Sequence, residues 1–477
     1  MLKNIFYVAM QQFVNTILPF LTIPYIARVL GVEQNGVYSY SLTTVNFFAV
    51  IFAFGFAIHG TNIIAQSSGE TRYIKYIELQ ILRVIFLFSG LIIFIAFIIL
   101  YPRPYDNVVF ILQGLIIVAS LFDNSWYYQG IGDFKKIVTR NIIIKFIGTI
   151  SVFLLIKKPE DLWLYILLIN GSQLVGNIIL FFDTAYLFKY IKFLKKKSLW
   201  EHIKVSFLLF LPNMSVLLYS SFDKLLLGSS GDIDGLANYQ QVQRIITFIY
   251  TFLMIPSPVL IQKVATMRAI SQHKKADSII EKGLNIYIVT GLFLVFGILL
   301  SSREFITLFL GLEYKDAINL FIIMGPVLIF KTVGGVIGGW YLIPLGKNKI
   351  HSFPLVIGTI ISIILNLMVT PHYGATGATI IFVLTEFLVI IVQLFYSRIL
   401  LKFVDIKILL IFFLIFIFAF LVTGAIYQTL FLNLINNVVL KMFINIFLFI
   451  LISLTLSLLI KKTRSFIGNI SNLYKER

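Results

Sequence analysis

Six cations interrupt long apolar runs in this 477-residue chain: Arg83, Lys145, Lys224, Arg244, Lys331 and Lys441. An ionised side chain in hydrocarbon costs roughly 3 kcal/mol on insertion scales, so it is expected to face a partner or a water-filled cavity. Depth separates the six. Lys224 and Lys441 lie within about a turn of the end of their runs and can reach the headgroups on their own stems. Arg83 lies about six residues into its run, and Arg244 and Lys145 about eight from the outer and inner ends of theirs. Lys331 is about fourteen residues from either end, near mid-membrane at about 1.5 Å per residue. Cations staggered in this way could hold an anion at successive depths of a low-dielectric cleft. Arg28 closes the outer end of the first run, after Pro24 disturbs the helix; it suits either the same cleft or the headgroup layer.

Uncharged polar residues and acids extend the set. Gln11, Asn15 and Thr22 fall within about 40° of one another on a helical wheel, a stripe suited to a polar cavity or to interhelical hydrogen bonds. The acids in apolar surroundings are Glu78, Asp123, Asp183, Asp223 and Glu386. Asp223, Asp123 and Glu386 read as ion-pair partners for the surrounding cations or as coupling-ion sites.

The elements that must position these groups follow from composition. With 59% hydrophobic and 13% charged residues, against about 25% charged in soluble domains, the chain is expected to be an all-α polytopic membrane protein. Apolar segments near the roughly 20 residues needed for a crossing recur fourteen times, with approximate limits 5–30, 37–64, 77–101, 107–128, 137–156, 162–188, 205–227, 236–262, 280–301, 317–345, 353–372, 375–398, 406–428 and 439–460. The turn signal HYGATG separates the eleventh from the twelfth. Short cytoplasmic loops collect Lys and Arg. With the N-terminus inside, twenty-seven of the 39 cations fall on the inner side and six (Arg28, Arg103, Lys157, Lys158, Arg303 and Lys315) on the outer. That asymmetry places both termini in the cytoplasm; the inner count includes the tail from Lys461 to Arg477.

Absent cysteine excludes disulfides and thiolate metal sites, and five scattered histidines offer no ligand spacing. No cofactor is expected. The formal charge of +18 is spread in short clusters facing membrane lipid rather than nucleic acid.

The polar stretch KYIKFLKKKSLWEHIK, residues 189–204, divides the first twelve segments into six and six. The expected organisation is an N-terminal six-helix lobe over 1–190, a basic cytoplasmic linker over 191–204, a second six-helix lobe over 205–402, and two extra helices with a basic tail over 403–477. Matching marks support a doubled unit. WYYQGIGDFKK at Trp126 and WYLIPLGKNKI at Trp340 each follow the fourth segment of a half, with Trp, Tyr, Gly and Lys at the same offsets. Six segments per half insert both halves in the same orientation, the parallel-repeat arrangement of some secondary transporters.

PFLTIPYIARVLGVEQNGVYSY, FGFAIHGTNIIAQ and above all DNSWYYQGIGDFKKIVTRNIIIK resemble the Wzx-type polysaccharide flippases, over nearly the whole chain and most densely in its first half. Those proteins share a superfamily with multidrug and toxin extruders and peptidoglycan lipid flippases. The resemblance implies a V-shaped two-lobe bundle in the cytoplasmic membrane. It would carry a polyprenyl-diphosphate-linked oligosaccharide to the outer leaflet, with polysaccharide polymerase machinery as a partner. The staggered cations would then meet the diphosphate, and the Gln11 stripe the sugars. Two other readings remain. A drug or cation extruder of the same superfamily should show acidic rather than basic deep charges. A membrane glycosyltransferase or polymerase needs catalytic groups on a substantial outer loop, and the longest charged outer connection is residues 302–316. The pattern GxxxxGK[ST] does not occur, so an ATP site is not expected.

Overall fold

A computed structural model describes residues 2–101, 106–431 and 437–475; Arg103 and Arg477, counted above, lie outside them. All regular structure among the described residues is helical. The chain divides into two compact units, Met1–Ala237 and Asn238–Arg477. The first holds α1 (Leu2–Ala53), α2 (Phe56–Gln66), α3 (Gly69–Leu100), α4 (Asn107–Gln113), α5 (Leu115–Leu121), α6 (Ser125–Ile131), α7 (Phe134–Leu155), α8 (Leu162–Asp183) and α9 (Lys196–Ser229). The boundary falls inside α10 (Ile233–Leu253). The second unit continues with α11 (Ser257–Ala269), α12 (His273–Phe309), α13 (Ala317–Met324), α14 (Val327–Gly335), α15 (Asn348–Tyr396), α16 (Ile406–Ile426), α17 (Val438–Leu459) and α18 (Lys461–Lys475).

Among the described residues ten helices are long and apolar enough to cross a membrane, or twelve if the bent pairs at α9 and α10–α11 each count once. The sequence reading expects fourteen. The difference lies in two runs of 44 and 48 residues, Met10–Ala53 and Lys349–Tyr396: the first joins the expected segment 5–30 to the start of 37–64, whose end lies in α2, and the second joins 353–372 to 375–398. Each is two helices meeting at a kink on one glycine, Gly31 (φ 73°) in α1 and Gly374 (φ 52°) in α15. Both angles lie in the left-handed region that glycine enters without a Cβ clash. Asn35 caps the first break by donating to the Gly31 carbonyl at 2.7 Å and the Ile26 carbonyl at 3.2 Å.

Sidedness on α3 shows how lipid and core divide a helix. Ile85, Phe88, Ile92, Ile95 and Ile99 recur every three or four residues on its exposed face, whereas Tyr76, Leu79, Leu87 and Phe94 are fully buried. An apolar stripe left outside the packing is what hydrocarbon solvates.

Each unit builds its core on one of the two matching tryptophans. Trp126 of α6 stacks on Tyr76 of α3, with centroids 5.4 Å apart, and covers Gly60 of α2 so closely that a Cβ there would overlap the indole. Trp340, in the π-helical stretch Val336–Leu342 after α14, packs edge-on against Tyr287 of α12 at 5.7 Å and covers Gly283 in the same way. Its indole N–H donates to Ser257 at 2.7 Å, so the buried donor is satisfied.

The expected linker 191–204 is largely helical. Residues Ala185–Phe193 form a 3-10 stretch with Leu187 and Tyr190 buried in the first core, and from Lys196 the chain is already α9. That helix, expected to open the second lobe, packs on α1, α2 and α3. In the second unit α16 and α17 dock on α12 through Phe293, which meets Phe449 at 5.0 Å and Phe416 at 5.6 Å. The basic tail is the helix α18, whose Phe466 returns to Phe412 of α16 at 5.7 Å.

Candidate functional site

Arg83 projects from the buried face of α3 and is 3% exposed. Its guanidinium donates to the Asp123 carbonyl at 2.5 Å and the Ser120 carbonyl at 3.2 Å, and lies 5.7 Å from the centre of the Trp126 ring. These carbonyls stand where α5 ends and α6 has not begun, so the cation meets acceptors at a helix end, the Ser120 one shared with the Asp123 N–H at 3.3 Å. Asp123 is brought to Arg83 through its backbone. Its carboxylate accepts from the Ser125 N–H at 3.0 Å, at the start of α6.

In the second unit Lys331 of α14 lies 3.1 Å from Glu386 of α15, with 24% of the lysine side chain and 8% of the glutamate accessible. Its ammonium also sits 5.2 Å from the Phe382 ring centre. The pair joins two residues that the sequence reading assigned separately, one to anion binding and one to ion coupling or pairing.

The remaining candidates are dispersed. Arg244 is half-buried on α10, and Arg28 is exposed on α1. Lys145 is half-buried on α7 and makes no hydrogen bond or ion pair among the described residues. Asp223 and Lys224 are buried side by side on α9; Lys224, expected to extend to the headgroups, is 8% exposed. Gln11, Asn15 and Thr22 are half-buried along α1, and the Thr22 hydroxyl donates to the Pro19 carbonyl of its own helix at 2.8 Å.

A groove of about 510 Å³ runs between α7 and α8, lined by Lys135, Lys136, Arg140 and Asp133 at one end and by Ile143, Ile144 and Ile179 along its stem. Its rim is internally braced. Lys136 pairs with Asp183, which also accepts from the Tyr128 hydroxyl. Arg140, counted as a loop cation in the sequence, belongs to α7 and donates to Asn177 at 2.6 Å and Ser125 at 3.1 Å.

One cluster escaped the sequence reading. The Glu78 carboxylate, 1% exposed on α3, accepts from Lys75 and Ser198 at 2.9 Å each and from His202 Nε2 at 3.0 Å. The other nitrogen of His202 faces His59 Nε2 at 2.8 Å. The two histidines are 143 positions apart and were set aside for want of metal-ligand spacing. The available signal was that each lies within or beside an apolar run, in FAIHG and LWEHI.

Residues 1–261 match the family described as "Polysaccharide biosynthesis protein". A Shigella dysenteriae protein named "Putative O-antigen transporter" is 22% identical over 401 residues, covering 83% of this chain and 99% of its own length. An Escherichia coli K12 protein of the same name is 21% identical over 404 residues, covering 83% and 96%. Among solved structures, "Lipid II flippase MurJ, inward closed conformation" superposes with a TM-score of 0.71 at 17% identity, covering 97% of this chain and 100% of that one. An inward-facing multidrug resistance MATE family transporter follows at 0.60 and 14%, covering 82% and 97%. Both likenesses are of fold.

Proposed function

Starting from a chain that belongs to the polysaccharide biosynthesis protein family, we propose that it moves polyprenyl-diphosphate-linked oligosaccharide repeat units from the inner to the outer leaflet of the cytoplasmic membrane by alternating access. It acts as a transporter and not as an enzyme. Both termini are cytoplasmic, and the exported units pass to polymerase machinery on the far side. The observation that carries the reading is the alignment with two proteins named as O-antigen transporters over 99% and 96% of their own lengths.

The charge distribution supports the same substrate. A diphosphate entering hydrocarbon needs cations at each depth, because water no longer screens it. Lys145 and Lys331 stand on different helices of different units, and Lys331 is accessible enough to leave Glu386 for a phosphate oxygen. The α7–α8 groove combines a cationic end with an isoleucine stem, the two surfaces a prenyl diphosphate presents. A drug or cation extruder would instead expose unpaired acids, and Glu386 is covered by Lys331.

The purified protein in vesicles carrying a fluorescent polyprenyl-diphosphate oligosaccharide tests the proposal, with leaflet location read by a membrane-impermeant quencher. Label should cross without ATP and respond to an imposed ion gradient or membrane potential. No crossing under any gradient, or strict dependence on ATP, would overturn it.

A further inference from the structure

The hydrogens of the buried cluster on α2, α3 and α9 can be counted. Glu78 is an acceptor, so His202 Nε2 carries the hydrogen of their 3.0 Å bond. His202 Nδ1 and His59 Nε2 are 2.8 Å apart, so one of these facing nitrogens holds a hydrogen and the other a lone pair. With both rings neutral, His59 donates, and His59 Nδ1 keeps a lone pair with no partner among the described residues. One proton added there makes a single imidazolium shared by the two rings, and every bond in the chain survives. A second added proton sets N–H against N–H at 2.8 Å, and the bond between the rings cannot form.

We propose that the His59–His202 pair, anchored on Glu78, is a proton-binding site that holds the cytoplasmic half of α9 against α2 and α3 with none or one proton added and releases it with two. Burial, then the facing His202 ring and Lys75, hold the His59 imidazole below its ordinary range, so protons enter the pair only in acid. The charged neighbours fit a site with this limit. Glu78 from α3 stabilises the first added charge; Lys75, also from α3, bonds to Glu78 and opposes a second. The 3-10 stretch that packs on α3 directs Lys189 and Lys192 over the rings of Tyr190 and Phe193 instead. No titratable side chain of α1, which also packs on α9, bonds to the pair among the described residues. The arrangement ties three helices through residues 59, 78 and 202, all at 9% exposure or less. In a buried polar chain each bond made across helices counts, so a proton that unmakes one link loosens the helix that carries it. The proposal does not depend on which solute the chain moves.

The experiment uses the full chain in nanodiscs. Because the sequence has no cysteine, spin labels can be placed on the exposed positions Asn62 of α2 and Lys197 of α9 by N62C and K197C, and their separation measured from pH 8 to about pH 3, below the lowered range of His59. ¹⁵N-histidine spectra over the same range, assigned with His59→Gln and His202→Gln, report the ring protons. The two rings should titrate as a coupled pair, one shared proton preceding a second. The label separation should lengthen only with the second proton, and either Gln variant should abolish that pH dependence. Independent titration of the rings, a separation constant over the whole range, or a lengthening that persists in both variants would overturn the proposal. If a variant fails to accumulate, the coupled or independent titration of the unaltered chain decides.

Discussion

Replacing Lys331 by Gln removes the cation that faces Glu386 at 3.1 Å and leaves a carboxylate that is 8% exposed. Stranding one member of a fully buried pair costs about 3–5 kcal/mol. Here the lysine is 24% accessible, and water reaching its position can solvate part of the orphaned charge, so about 2–4 kcal/mol is expected. The double variant Lys331→Gln/Glu386→Gln removes both charges and allows an amide–amide hydrogen bond, so most of that loss should return. Transport should separate from stability. If Lys331 exchanges its carboxylate for a phosphate oxygen, the double variant folds yet exports poorly, and Lys331→Arg retains more export than Lys331→Gln because the positive charge persists. Thermal unfolding in detergent and glycan export normalised to protein level are the paired measurements. A Lys331→Gln protein as stable as the parent would refute the pair as a structural element. A stable double variant with full export would refute the lysine's part in transport.

Arg83→Met should lower the unfolding temperature and the membrane abundance, since it takes from the Asp123 carbonyl its guanidinium donor at about 1–3 kcal/mol; unchanged melting would contradict the bracing role. Gly31→Ala should destabilise by about 1–3 kcal/mol, because φ of 73° with ψ of −179° is strained for any residue with a Cβ, and the unfolding temperature reads this directly. Lys145→Gln should leave abundance at the parental level, as the lysine bonds to nothing among the described residues, and should reduce export if that cation meets the substrate; full export would remove it from the path.

Apolar run lengths made the membrane-helical class legible, because hydrocarbon thickness acts on each segment separately. What they could not show was whether consecutive crossings are joined by a loop or by a kink. Gly31 and Gly374 read as helix stops, and only the backbone angle reveals that the helix resumes at the next residue. Depth in a run likewise identified Arg83 and Lys331 as costly charges without showing what stands opposite. Arg83 meets carbonyls, which every residue possesses and no sequence pattern marks. Lys331 meets an acid 55 positions away, and His59 meets His202 across 143, pairings that only tertiary packing creates. The cysteine and histidine counts spoke only to metal-ligand spacing and said nothing about histidines bonded to each other.

The loop-free kink of α1 bears on how the chain can be handled. The 52 residues of this helix would span about 78 Å at about 1.5 Å per residue if straight, more than twice the roughly 30 Å of hydrocarbon, and the only non-helical residue inside it is Gly31. No exposed peptide loop is available there for a protease to open or for an epitope to lengthen without sliding Asn35 off its carbonyls. Tags, permuted termini and nicks meant to report on the first two crossings should therefore be placed elsewhere, and a sequence that lengthens this junction should be read as a different hinge rather than as a tolerated surface insertion.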